Sequence, residues 1–278
     1  MLKQRVITAI VLLALLLPAL FAASAWPFAV LTLLLIGAAG WEWGRLNGAA
    51  PAVAVAMGVL LALSGAAALA LGWTFAPPRW LWAPVAVAWV AGGALALRGG
   101  PAGWPKLPQA LRWLLGLALL WVAWLAIAFA RGVGINFTLS VFCLVWVADI
   151  AAYFGGRAFG RRKLAPSISP GKSWEGVFSG LAGVLLLAFV WRWADAACAL
   201  DTPSLYSRMA AAWGAAGMVI GCVLLGAMSV VGDLFESLVK RAAGAKDSSQ
   251  LLPGHGGVLD RVDALLPVFP IAIALAAS

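Results

Sequence analysis

The sequence predicts an all-α, polytopic integral membrane protein of about nine transmembrane helices, with its N-terminus in the cytoplasm. Three observations carry that prediction. Of 278 residues, 64% are hydrophobic and only 10% are charged, against roughly 25% charged in a soluble domain. The apolar residues stand in runs long enough for spanning helices, not in the two-residue alternation of a strand barrel. The Lys and Arg residues sort by side of the membrane once the runs are placed.

Taken in order, the chain opens with residues 1–25, where Lys3 and Arg5 precede an apolar stretch that ends Ala-Ala-Ser-Ala. A secretory signal has that form, but further hydrophobic segments follow at once and favour an uncleaved first span. The predicted spans are 6–23, 26–44, 53–73, 80–97, 113–130, 136–154, 174–191, 211–238 and 259–277. Pro18, Pro84, Pro267 and Pro270 fall inside spans, where membrane helices tolerate kinks. Trp26, Trp41, Trp43, Trp73, Trp80, Trp82 and Trp191 fall near span ends, as an aromatic belt does. With the N-terminus inside, the inner segments hold Lys3, Arg5, Arg45, Arg98, Lys106, Arg112, Arg157, Arg161, Arg162, Lys163, Lys172, Lys240, Arg241, Lys246 and Arg261. The outer ones hold only Arg79, Arg131, Arg192 and Arg208. An even number of spans spoils this sorting, so nine is preferred, with the C-terminus outside.

Two halves follow. Residues 1–111 carry a single acid, Glu42, and read as a scaffold of transmembrane helices. The Gly/Pro-rich stretch 98–111 reads as a linker to a catalytic transmembrane domain, 112–278. The net charge of +9 reports cytoplasmic loops and anionic lipid heads and does not indicate nucleic acid. Cys143, Cys198 and Cys222 have no metal-binding spacing and support no disulfide framework.

The chemistry concentrates in residues 233–263, which hold five of the ten acids (Asp233, Glu236, Asp247, Asp260 and Asp263) and the only histidine, His255. Ionisable groups in a membrane protein are functional candidates. Asp149 with Tyr153 lies near the inner end of the sixth span. Asp233, Glu236 or Ser237, and Lys240 share a face of the eighth. Asp260 and Asp263 open the ninth, three residues apart. Topology therefore brings these acids to one depth. Gathered carboxylates suit Mg²⁺, which takes one or two of them with water and substrate phosphates. The ordinary alternative, acids paired with bases at helix ends, is weighed evenly for Glu236 and Asp247. Between the acids lies Pro253-Gly254-His255-Gly256-Gly257, whose glycines allow a tight turn and a close approach to an anion. A second stretch, Ser169-Pro-Gly-Lys172-Ser173-Trp-Glu175-Gly176, resembles the end of a P-loop, but Pro166 stands where the first glycine belongs. Its serines, Lys172 and the amides opening the seventh span suit a phosphate. Arg157, Arg161, Arg162 and Lys163 read as an ordinary basic inner loop. No Ser or Cys pairs with His255 for nucleophilic catalysis.

From Ser237-Leu-Val-Lys240-Arg241 through Lys246-Asp247 to Leu252-Pro253-Gly-His255-Gly256-Gly257-Val-Leu-Asp260-Arg261-Val-Asp263, the sequence resembles the signature of the phosphatidate cytidylyltransferases over 27 residues without a gap. Ser169–Gly176 is similar to a second block of that family, and Asp149-Ile-Ala-Ala-Tyr153 to a third. The departure is Gly171, where many members carry a second base; it shifts nucleotide affinity towards Lys172. The resemblance implies the reaction CTP + phosphatidate → CDP-diacylglycerol + pyrophosphate, in phospholipid biosynthesis at the bacterial inner membrane, with the active site facing the cytoplasm. It implies Asp233, Asp260 and Asp263 as metal carboxylates, with Asp149 orienting a second cation or a base. Lys240, Arg241 and Lys246 neutralise phosphates in that assignment. The His255-Gly256-Gly257 turn, Arg261 and the Ser169, Lys172, Ser173 block bind substrate. The family also implies K⁺ beside Mg²⁺, and a homodimer. The alternatives are the same chemistry on another lipid phosphate, and a transporter, which the position of the acids at span ends disfavours. The aspartate series of the CDP-alcohol phosphatidyltransferases is absent.

Overall fold

The structure, a computed structural model, describes residues 2–276. Residue 277, the end of the last predicted span, and the side chain of Lys3, counted among the inner bases, lie outside the described residues. Within them the chain is a helical bundle. Eight helices are long and apolar enough to cross a membrane.

The first three are α1 (Leu2–Phe21), α2 (Trp26–Leu46) and α3 (Pro51–Ala70). Proline opens α2 and α3, where its missing N–H costs nothing and its fixed φ suits the first turn. The fourth crossing, Arg79–Lys106, is irregular. It joins a 3₁₀ turn, α4 (Trp82–Val87), a π-helical turn (Ala88–Gly92) and α5 (Gly93–Gly103), with a break at Gly100 (φ 61°). Then follow α6 (Gln109–Val133) and α7 (Ile135–Phe159).

The predicted linker 98–111 is not an open tether. Its Trp104 is buried, donates through Nε1 to Asn47 Oδ1 at 2.9 Å, and sits edge-on to Trp43 and Phe235. That packs the first half of the chain against the second.

A β-hairpin, absent from the prediction, follows α7. β1 (Lys163–Ala165) pairs antiparallel with β2 (Ser169–Ser173). β2 feeds directly into α8 (Trp174–Ala197), whose N-cap is Ser173; its Oγ accepts from the Gly176 amide at 3.2 Å. α7 and α8 approach closely because small residues face each other. A Cβ on Gly180 would lie 2.8 Å from the Ala148 carbonyl, and one on Gly176 2.8 Å from that of Ala152.

α9 (Leu205–Ala242) has 38 residues, about 57 Å at 1.5 Å per residue and too long for one straight crossing. Gly214 (φ 70°) breaks it, so the crossing starts close to the predicted residue 211. At that end Asp201 accepts from the Ile135 and Asn136 amides, and Asp195 from Ser204, Ser207 and Asn136. This ties the terminal turns of α7, α8 and α9 at the end of the bundle away from the β-hairpin.

The ninth predicted span is divided. α10 (Leu259–Val262) is a single turn, and α11 (Leu265–Ala276) a 12-residue helix buried against α9, α6 and α4. Asp260 and Asp263 precede this buried helix rather than opening it.

Candidate active site

β2, α7 and α9 build an open pocket at the hairpin end. Lys172 extends from β2, and its Nζ lies 2.6 Å from Asp233 Oδ2 on α9. Ser237, one turn on, donates to Asp233 Oδ1 at 3.4 Å. Asp149 and Tyr153 of α7 line the same pocket, with Gly156, Arg157, Ser169, Ser173 and Val230. Its volume is about 650 Å³. Asp263 approaches from the break between α10 and α11: a Cβ on Gly232 would stand 2.5 Å from the Asp263 carbonyl oxygen. Burial pushes the Asp263 carboxyl above the usual carboxylate range. The nearby Asp233 and Asp149 carboxylates push the same way; the Ala264 amide, donating at 2.8 Å, and Lys172 oppose them. Three acids therefore share one field with one lysine.

A second ionic group lies beside it and is closed. Lys240 of α9, nearly buried, bridges Glu236 Oε2 at 2.6 Å and Asp260 Oδ1 at 2.5 Å. The other oxygen of Asp260 accepts from the Ser248 amide and hydroxyl, both at 2.9 Å, and from the Gly257 amide at 2.7 Å. Burial alone raises Asp260, but the bonds from Lys240, Gly257 and Ser248 outweigh it and hold the carboxyl at about 2. Glu42 of α2, with no exposed surface, completes the group by accepting from Ser248, Ser249, Val258 and Leu259.

The glycine loop borders a third space, of about 770 Å³, lined by Arg5, Lys246, Asp247, Ser249, His255, Gly256 and Arg261. The loop is closed by the Leu252–Gly256 bridge, in which the Leu252 amide donates at 2.8 Å. Gly254 (φ 77°) and Gly256 (φ 84°) occupy the left-handed region that glycine enters without strain. His255 Nδ1 is buried without a hydrogen-bond partner among the described residues. α1 reaches this loop: Thr8 Oγ donates to the Pro253 carbonyl at 2.8 Å.

The predicted residues thus divide. Asp149, Asp233, Lys172, Ser169 and Ser173 come together, with Asp263 beside them. Lys246, His255, Gly256 and Arg261 gather round the loop. Asp260 does not join Asp233 and Asp263 as a metal carboxylate with free oxygens, because Lys240, Ser248 and Gly257 occupy it. Lys240 is neutralised by two carboxylates and has no charge left over for phosphate. Arg241 points to backbone carbonyls, at Ile168 (3.4 Å) and Ala245 (3.1 Å), and Ser173 Oγ serves as a helix cap. Gly257 is packed in the closed group, and its amide is turned to Asp260. Sequence reasoning left Glu42 without a role and did not place Arg5 or Thr8 at the loop. The signal for Glu42 was its isolation as the one acid of residues 1–111.

The sequence pattern of the cytidylyltransferase family matches residues 3–278. The chain belongs to that family. It is 38% identical, over 99% of its own length and 97% of the relative's, to a phosphatidate cytidylyltransferase of Pseudomonas aeruginosa. It is 39% identical to one of Haemophilus influenzae, covering 97% and 96%. To one of Thermotoga maritima it is 40% identical over about half of each chain. The family likeness and the apolar helices make the chain a membrane enzyme, as the resemblance implied.

Proposed function

We infer that the chain transfers the cytidylyl group of CTP to phosphatidate, giving CDP-diacylglycerol and pyrophosphate. The observation that carries this is the open pocket in which Asp149 and Asp233 meet Lys172, with Asp263 beside it, in a helical membrane member of the family. The attacking group is a phosphate oxygen of phosphatidate, anionic at neutral pH, so no strong general base is needed. It forms a bond to the α-phosphorus of CTP, the bond to the β-phosphate bridge breaks, and pyrophosphate leaves with the electron pair. The work is to bring two anions together and to stabilise the leaving charge.

The donor set fits Mg²⁺, which is held by one or two carboxylates and by substrate phosphates. Among the described residues no three Asp, Glu, His or Cys side chains gather as a metal site by themselves, so substrate phosphates and water would complete the shell, and the pocket carboxylates Asp149 and Asp233, with Asp263 near them, are the residues that would hold the ion. Bound there, Mg²⁺ supplies positive charge to the phosphates in the transition state. Lys172 is placed to exchange Asp233 for a phosphate. Ser169, Lys172, His255 and Gly256, with Lys246 and Arg261, hold the nucleotide. The distribution of Lys and Arg supports a cytoplasmic site in the bacterial inner membrane. K⁺ as a second cation and a homodimer enter this reading from the family resemblance alone.

The test is pyrophosphate release by purified protein in detergent, given CTP, Mg²⁺ and dioleoyl phosphatidate. Release that needs both lipid and Mg²⁺ is expected. No release with phosphatidate, but release with another lipid phosphate, would replace the acceptor and keep the chemistry.

A further inference from the structure

We propose that Glu42 is a positioning residue for this reaction. Its carboxylate clasps the two ends of the segment 248–259 and so holds the glycine loop in the shape that receives the nucleotide. The proposal rests on the reading of that loop as nucleotide-binding.

An acid with no exposed surface is costly to bury unless its oxygens are fully hydrogen-bonded. Glu42 meets that condition with four donors. Oε1 accepts from Ser249 Oγ at 2.5 Å and from the Val258 amide at 2.9 Å. Oε2 accepts from the Leu259 amide at 2.7 Å and from Ser248 Oγ at 3.1 Å. All four come from the far end of the chain, two just before the loop and two just after it. One side chain thus fixes the distance between the loop's ends. Asp260 draws on the same segment through Ser248 and Gly257. Gly257 is matched to this arrangement: a Cβ there would run into Ser248 Oγ and Glu42 Oε1. Glu42 is anchored on α2, which packs against α3 and α6. It lines neither the metal pocket nor the loop space, so it acts through the loop and does not touch the nucleotide.

The experiment compares wild type, Glu42→Gln, Ser248→Ala and His255→Ala in the detergent assay. CTP and phosphatidate are varied separately, and a thermal melt is taken for each protein. In Glu42→Gln one oxygen still accepts, but the new amide donor faces N–H and O–H groups. The KM for CTP should rise about tenfold, equivalent to about 1.4 kcal/mol, with the KM for phosphatidate within about twofold. Trypsin should cut the folded variant faster after Lys246 than it cuts wild type. Ser248→Ala, which removes a hydroxyl shared between Glu42 and Asp260 and lies outside the loop space, should raise the KM for CTP about threefold, less than Glu42→Gln because three donors to Glu42 remain. A folded Glu42→Gln with unchanged KM for CTP overturns the proposal. So does an equal loss for both substrates that tracks the melt, because that is a scaffold effect. If Glu42→Gln does not accumulate, Ser248→Ala decides by the same criterion. His255→Ala separates the two levels. If it leaves the KM for CTP unchanged, the loop reading itself fails. If it raises that KM while Glu42→Gln does not, only the clasp fails.

Discussion

Two groups of three carboxylates lie near the hairpin end of the bundle, each with one lysine. Asp149, Asp233 and Asp263 share Lys172; Glu236 and Asp260 share Lys240, and Glu42 joins them through Ser248. By charge alone the two are equal. They differ in what surrounds the oxygens. In the second group Ser248, Ser249 and the amides of Gly257, Val258 and Leu259 fill the acceptors of Glu42 and Asp260, Glu236 is met by Lys240, and little surface remains. In the first, Asp149 and Asp233 border about 650 Å³ of space, and among the described residues Asp233 is met only by Lys172 and a long bond from Ser237. A count of acids therefore does not separate an open group from a sealed one; the surroundings of their oxygens do.

The sharpest way to break this contrast is to remove one acid from the open group. Asp233→Asn should lower turnover at least about 100-fold, the scale of losing one preorganised electrostatic contact, while the protein stays monodisperse with a melting temperature near wild type. If activity survives, the open group is not the metal site.

Lys240→Ala addresses the closed group. It leaves Glu236 and Asp260 buried without their cation and should cost about 3–5 kcal/mol, read as a large fall in melting temperature. Lys172→Ala is the matched control. Its partner is partly exposed, so stability should change by less than about 1 kcal/mol while pyrophosphate release is lost. Equal melts for the two variants would erase the distinction.

Removing the metal sharpens it further. A chelator should stop turnover, and added Mg²⁺ should raise the melting temperature of wild type but not of Asp233→Asn, since only a state that binds is stabilised. Arg241→Ala marks the small end of the scale. Its bonds go to two carbonyls, so a loss of about 1 kcal/mol or less and activity within a few-fold of wild type are expected. A 100-fold loss would return Arg241 to the phosphates.

The helical membrane fold was legible because apolar runs of spanning length leave little alternative. The split of Asp260 from Asp263 was not. A spacing of three predicts one helix face, but α10 stops at Val262, and Asp263 falls on the break. The β-hairpin escaped because Ser-Pro-Gly-Lys-Ser has no strand alternation; its pairing with Lys163–Ala165 and its junction with α8 set its shape. Lys172 and Asp233 were both singled out, yet their contact spans helices the sequence does not order in space. Glu42 was visible only as an anomaly, because its partners lie more than 200 residues away.

That separation orders events during synthesis. α2 leaves the ribosome early, and Ser248 to Leu259 are made about 206 to 217 residues later. At about 5–20 residues per second the delay is on the order of ten to forty seconds. For that interval an acid near one end of the second membrane helix has none of its four donors. The helix must therefore insert before this carboxylate has its partners. A loop translated more than 200 residues later then completes a contact begun by α2, so a truncated chain that lacks this loop would expose an unpaired buried carboxylate to quality control.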